Sequence, residues 1–207
     1  MRYGHLVTTR IRDLDTERGP DHVEREPETT AREAAVGGRV GRQFGDGLLQ
    51  TPDYARGLLL MRRPAYSAEE VERFISARVA RKAVFERNSA PDLSFVLEEW
   101  TLRRPLGGRA RLRAQLEHLL EIGQLRNVEL QVMPMDHEEH AGLAGGIEVL
   151  KFGDGSVVGR SQAIANGRPV SEPRQLRILE LRYGIIRAQA LTPRETASFI
   201  EQLLGET

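Results

Sequence analysis

The chain has 207 residues, 40 % of them apolar, a formal net charge of zero and no cysteine. That length and apolar content support one sizeable domain or two small ones, and the missing cysteine excludes a disulfide framework and thiolate chemistry. The neutral balance argues against a dedicated nucleic-acid surface, which is ordinarily basic.

Met1 to Arg12 lacks the apolar core of a signal peptide, and no apolar run reaches bilayer length. The expectation is therefore a cytoplasmic protein that binds neither membrane nor, directly, nucleic acid. Lys82 and Lys151 are the only lysines, a bias that codon usage explains more simply than function. Residues 1–43 read as a polar arm, partly flexible, with Pro20, Pro27 and dense charge of both signs. Residues 44–207 read as the ordered sensing or interaction domain.

That domain opens on Gly47-Leu48-Leu49-Gln50-Thr51-Pro52-Asp53-Tyr54-Ala55-Arg56. Thr51 is a helix N-cap, Pro52 occupies the first helical position and Asp53 complements the helix dipole. Tyr54, Leu58 and Met61 share a helical face, and Leu48 and Leu49 precede the cap as an apolar staple. Ser67-Ala68-Glu69-Glu70 is a capping box for a second helix with Val71, Phe74, Ile75 and Val79 inward. Leu93 to Glu98 alternates as a half-buried strand. Arg109 to Ile122 predicts a helix stopped by Gly123, and Val128 to Val132 a second strand. Gly146 to Phe152 and Ser156 to Val158, joined by Gly153-Asp154-Gly155, predict a hairpin. Pro173 to Ala190 and the segment after the capping box Thr192-Pro193-Arg194-Glu195 predict two closing helices. Together these predict an α+β domain, a small and mainly antiparallel sheet covered by helices.

Candidate chemistry is sparse. Asp136-His137-Glu138-Glu139-His140 gathers metal-capable side chains, but it is one residue short of the zinc-protease spacing and follows Pro134, so a solvated loop is the simpler reading. Glu98 and Glu99 end a strand beside Trp100 and Arg103. A buried glutamate there could act as acid or base, although an ion pair of Glu99 with Arg103 is the simpler reading. Phosphate-cradling loops and a serine nucleophile elbow are missing. No helix-turn-helix pattern stands ahead of Phe44.

Several separated stretches nevertheless resemble one family. The opening decapeptide, Val96-Leu97-Glu98-Glu99, Leu102-Arg103-Arg104-Pro105, Gly107-Gly108, Gln115-Leu116, Leu119-Leu120, Asn127-Val128, Gln131-Val132-Met133-Pro134, His140-Ala141-Gly142-Leu143 and Ala190-Leu191-Thr192 occur in its order. They are similar to the C-terminal domain, of uncharacterised function, of actinobacterial XRE-type regulators described as Scr-type antitoxin-like. The resemblance spans roughly residues 31–204. It implies a sensing module that normally follows a DNA-binding domain, which this sequence lacks. Two motifs depart from the family: Asp46 replaces a proline, and Val158-Gly159-Arg160-Ser161 replaces a Val-Tyr-x-Glu strand.

The resemblance implies a stand-alone domain for transcriptional regulation or antitoxin-like control. It would bind a small-molecule effector or a small protein partner without catalysis or cofactor, with homodimerisation open. Gln50, Tyr54, Glu99, Arg103, His140 and Arg160 are the expected ligand-binding residues, with no metal site. The alternative is an enzyme of specialised metabolism on the same fold, with Glu99 and His140 as acid–base residues and Arg160 as substrate anchor. A DNA-binding regulator using residues 1–35 as an arm ranks behind both.

Overall fold

The computed structural model describes residues 34–40, 47–86, 90–143, 145–161, 164 and 168–207, with 34–40 described as backbone only. The elements in order are β1 (Ala34–Val40), α1 (Pro52–Leu60), α2 (Ala68–Arg81), β2 (Asp92–Glu98), α3 (Glu99–Arg103), α4 (Arg109–Gly123), β3 (Val128–Met133), β4 (Ile147–Phe152), β5 (Val157–Ser161), α5 (Pro173–Gln189) and α6 (Pro193–Glu206). The strands form one five-stranded sheet in the order β3-β2-β1-β4-β5.

The α+β class holds. Within it the sheet is evenly mixed rather than mainly antiparallel. β1 pairs parallel with β2, and β2 with β3, whereas β1–β4 and β4–β5 are antiparallel. The reason is connectivity: helices carry the chain across the sheet between β1, β2 and β3, and only β4 and β5 are joined by a tight turn.

One face carries a core of Leu93, Phe95, Leu97, Leu130 and Val132 packed on Leu112, Leu116 and Leu119 of α4 and on Ile200 and Leu203 of α6. On the other face Val96, Met133, Ile147 and Val149 meet Leu176, Leu179 and Ile186 of α5. The β2 strand is thus covered on both sides. Gly159 of β5 lets α5 come close, since a Cβ there would lie 2.5 Å from Leu179 Cδ1.

The caps stand where expected. Thr51 Oγ1 accepts from Tyr54 N at 3.2 Å, and Ser67 with Glu70 and Thr192 with Glu195 form complete capping boxes. Backbone and hydroxyl donors of Ser67 hold Glu70 below its ordinary pKa, as those of Thr192 do Glu195. A depressed carboxylate contributes stability above its unfolded value and loses it as pH falls through the folded one. Thermal midpoints should therefore drop below about pH 4.3, the unfolded glutamate value. The double variant Ser67→Ala, Thr192→Ala should flatten that slope in calorimetric scans across pH.

Three expectations shift. The boundary between residues 43 and 44 moves N-terminally, because Ala34–Val40 is the middle strand of the sheet; the rest of the proposed arm lies outside the described residues. The stretch after Glu98 turns at once into the short helix α3. Met61 and Val79, placed on buried faces, are 47 % and 46 % exposed, since α1 ends at Leu60 and the buried residues of α2 end at Ile75, about two turns in.

Candidate functional site

β1, β2 and β3 end at the edge of the sheet where β4 begins. Glu98 and Glu99 stand at that edge, and each holds the loop that follows β3. His140 Nε2 lies 2.8 Å from Glu98 Oε1, and His140 Nδ1 accepts from Gly142 N at 3.0 Å. The backbone donor fixes the tautomer: the ring proton sits on Nε2 and is donated to the carboxylate. Glu99 accepts from Arg103 Nε at 2.5 Å through one oxygen and from Met135 N at 2.9 Å through the other. Ala141 N donates to Gln189 Oε1 of α5 at 3.0 Å. The acid–base candidates are thus the staples of a loop, with both ring nitrogens and both Glu99 oxygens engaged.

The other expected residues disperse. Gln50 is buried and accepts from Arg78 of α2 at 3.1 Å. Tyr54 is buried in the core beside α3, its hydroxyl 3.4 Å from the Thr101 carbonyl oxygen, and burial pushes its pKa up to about 12. Arg103 lies over the Phe199 ring of α6 and reaches Glu206 at 3.3 Å. Arg160 stands in register with the buried Glu148. Their neighbours Ile147 and Val149 face α5, so alternation puts Glu148 and Arg160 on the opposite face. Glu98 pairs in register with Met133 on the α5 face. The structure therefore brings together Glu99, Arg103 and His140 as supports of one loop. Among the described residues no group of three or more histidines and carboxylates is placed to hold a metal.

A groove of about 450 Å³ opens elsewhere, between α5 and the starts of β2 and β3. Leu93 and Val149 give it apolar surface, and Tyr183 forms a wall, its hydroxyl donating to the Ser94 carbonyl at 3.1 Å. One glycine, Gly184, leaves a wall of it open. Gly38 stands in register with both Ser94 and Val149, so the central strand has no side chain in that row. Gly184 lines the groove from α5, and a Cβ built on it would meet nothing within 4 Å. A glycine inside a helix costs about 1 kcal/mol relative to alanine, and no close packing at Gly184 offsets it.

The polar rim is balanced. Lys151 pairs with Glu180 at 2.7 Å, and Arg187 pairs with Glu129. Asp92 and Arg126 also line the groove. Ser94 Oγ is buried with no hydrogen-bond partner, a cost that a bound acceptor or donor would remove. The sequence pattern missed this site because Ser94 sits on the polar phase of an alternating strand, where solvent is the default expectation. Gly184, a glycine in the middle of the long helical pattern of α5, is the available signal.

A mixed sheet flanked by helices, with a groove of about 450 Å³ beside α5, places the chain among α+β domains. The chain belongs to the family described as domain of unknown function DUF5753, which matches residues 28–202. No curated protein and no solved structure matches it.

Proposed function

We propose that this chain is a ligand-sensing domain that acts by binding rather than catalysis, serving transcriptional regulation or antitoxin-like control through another protein. The observation that carries the reading is the groove under α5, with its unpaired Ser94 hydroxyl and its open Gly184 wall. Its volume lies in the ordinary range of small-molecule sites. The loop held by Glu98 and Glu99 is the natural reporter. It touches α5 through Gln189 and exposes Met135 and Leu143, so a ligand that shifts α5 would move an apolar surface that a protein partner reads.

The test uses Gly184→Leu. Leucine fits the helix and lowers its intrinsic cost by about 0.5–1 kcal/mol, yet its side chain occupies the groove. Thermal stability should hold or rise, while binding of any small molecule from a panel of amino acids, nucleosides, sugars and aromatic acids disappears in ligand-observed NMR. Undiminished binding by Gly184→Leu, or no binding by the parent protein, would refute the reading.

A further inference from the structure

The groove carries its own statement about ligand class, which rests on its being a binding site at all. Its lining includes three carboxylates, Asp92, Glu129 and Glu180, and three cations, Arg126, Lys151 and Arg187. Glu129 and Arg187 neutralise each other, as do Lys151 and Glu180. What remains for recognition is one carboxylate, Asp92, one guanidinium, Arg126, and the buried Ser94 hydroxyl. Among the described residues neither Asp92 nor Arg126 makes an ion pair or a side-chain hydrogen bond. Both stand at the start of the parallel pair β2–β3, joined by the Asn127 side chain donating to the Pro91 carbonyl at 3.0 Å and by Leu93 N donating to the Asn127 carbonyl at 2.8 Å. The two strand starts that present these charges are therefore held together.

We infer that the groove binds a small zwitterion with an apolar body: an amino acid with a large apolar side chain, or a dipeptide. The ligand ammonium pairs with Asp92, its carboxylate takes the planar two-pronged donor of Arg126, and its apolar part lies on Val149 and Tyr183. Ser94 Oγ–H donates to a ligand carbonyl or carboxylate oxygen. The lining excludes strongly monopolar ligands. A phosphate or a polyanion would face Glu129, Glu180 and Asp92, and a polycation would face the same number of opposing cations.

The test titrates the full chain with L-phenylalanine and with leucylphenylalanine, each also as its N-acetyl and its carboxamide form. Saturable binding should weaken about tenfold when either charge is capped. Arg126→Gln should abolish the penalty for amidation, and Asp92→Asn the penalty for acetylation. Both substitutions are at exposed positions, and Gly184→Leu should remove binding altogether. Capped and free forms binding equally would overturn the zwitterion assignment. So would a Gly184→Leu-sensitive ligand of single charge with no zwitterion bound, an outcome that leaves the groove itself standing. If no small molecule binds in a manner sensitive to Gly184→Leu, both the class and the site fall.

Discussion

Gln115→Leu is expected to destabilise the protein by about 2–4 kcal/mol, although leucine matches the volume and suits the helix. Gln115 is buried on α4, among residues that pack on the sheet. Its Oε1 accepts from Thr51 N at 2.7 Å, and its Nε2 donates to the Leu49 carbonyl at 2.7 Å. Those two bonds pin the Leu48-Leu49-Gln50-Thr51 turn that starts α1 and buries both leucines. Removing the amide strands a backbone donor and a buried backbone acceptor, each worth about 1–3 kcal/mol. At this chain length the midpoint should fall by roughly 10 °C. Gln115→Glu keeps the acceptor for Thr51 and loses the donor to Leu49, so it should also destabilise. Urea unfolding checks both. A loss under about 1 kcal/mol for Gln115→Leu would mean the turn is held by its leucines alone.

His140→Ala is expected to cost about 3 kcal/mol and to open the loop after β3. Glu98 is 6 % exposed, and His140 donates to it; without the imidazole the buried carboxylate has no side-chain donor among the described residues, and an unsatisfied buried charged acceptor is the costly case. Gly142 N loses its acceptor at the same time. Amide exchange should rise across residues 135–143 and little elsewhere. Adding Glu98→Gln to His140→Ala should restore part of the loss, because a neutral amide is cheaper to bury than an unpaired carboxylate. A double variant less stable than His140→Ala would place the energy in something other than that pair. Any activity retained by His140→Ala would also show that the imidazole is not an acid–base catalyst.

Local signals read well in this sequence because they are local physics. Thr51-Pro52, Ser67 to Glu70 and Thr192 to Glu195 each satisfy free amides within one turn, so the caps needed no tertiary information. The Gly153-Asp154-Gly155 hairpin is equally self-contained. What was not legible depends on partners distant in sequence. Ala34–Val40 carries four alanine or glycine residues and little apolar pattern, and it is the central strand only because β2 and β4 flank it on both sides. Glu98, Glu99 and His140 read as candidate chemistry in the sequence, and in the fold they also fasten the loop after β3. Those residue types mark polar burial equally well in a site and in a clasp, and only geometry separates the two. The α5 stripe Leu176, Leu179, Tyr183 and Ile186 was readable, and the groove beside it was not. Gly184, where a Cβ would meet nothing within 4 Å, leaves one wall of it open, which a hydrophobic pattern does not register.

The most direct measurement is a map of backbone amide shifts on adding leucylphenylalanine to the full chain. Binding in the groove predicts the largest changes at residues 92–94, 126–129, 149–151 and 180–187, with smaller ones relayed to 135–143. Changes confined to 98–103 and 135–143, with the groove residues silent, would put the ligand at the sheet end and contradict the assignment.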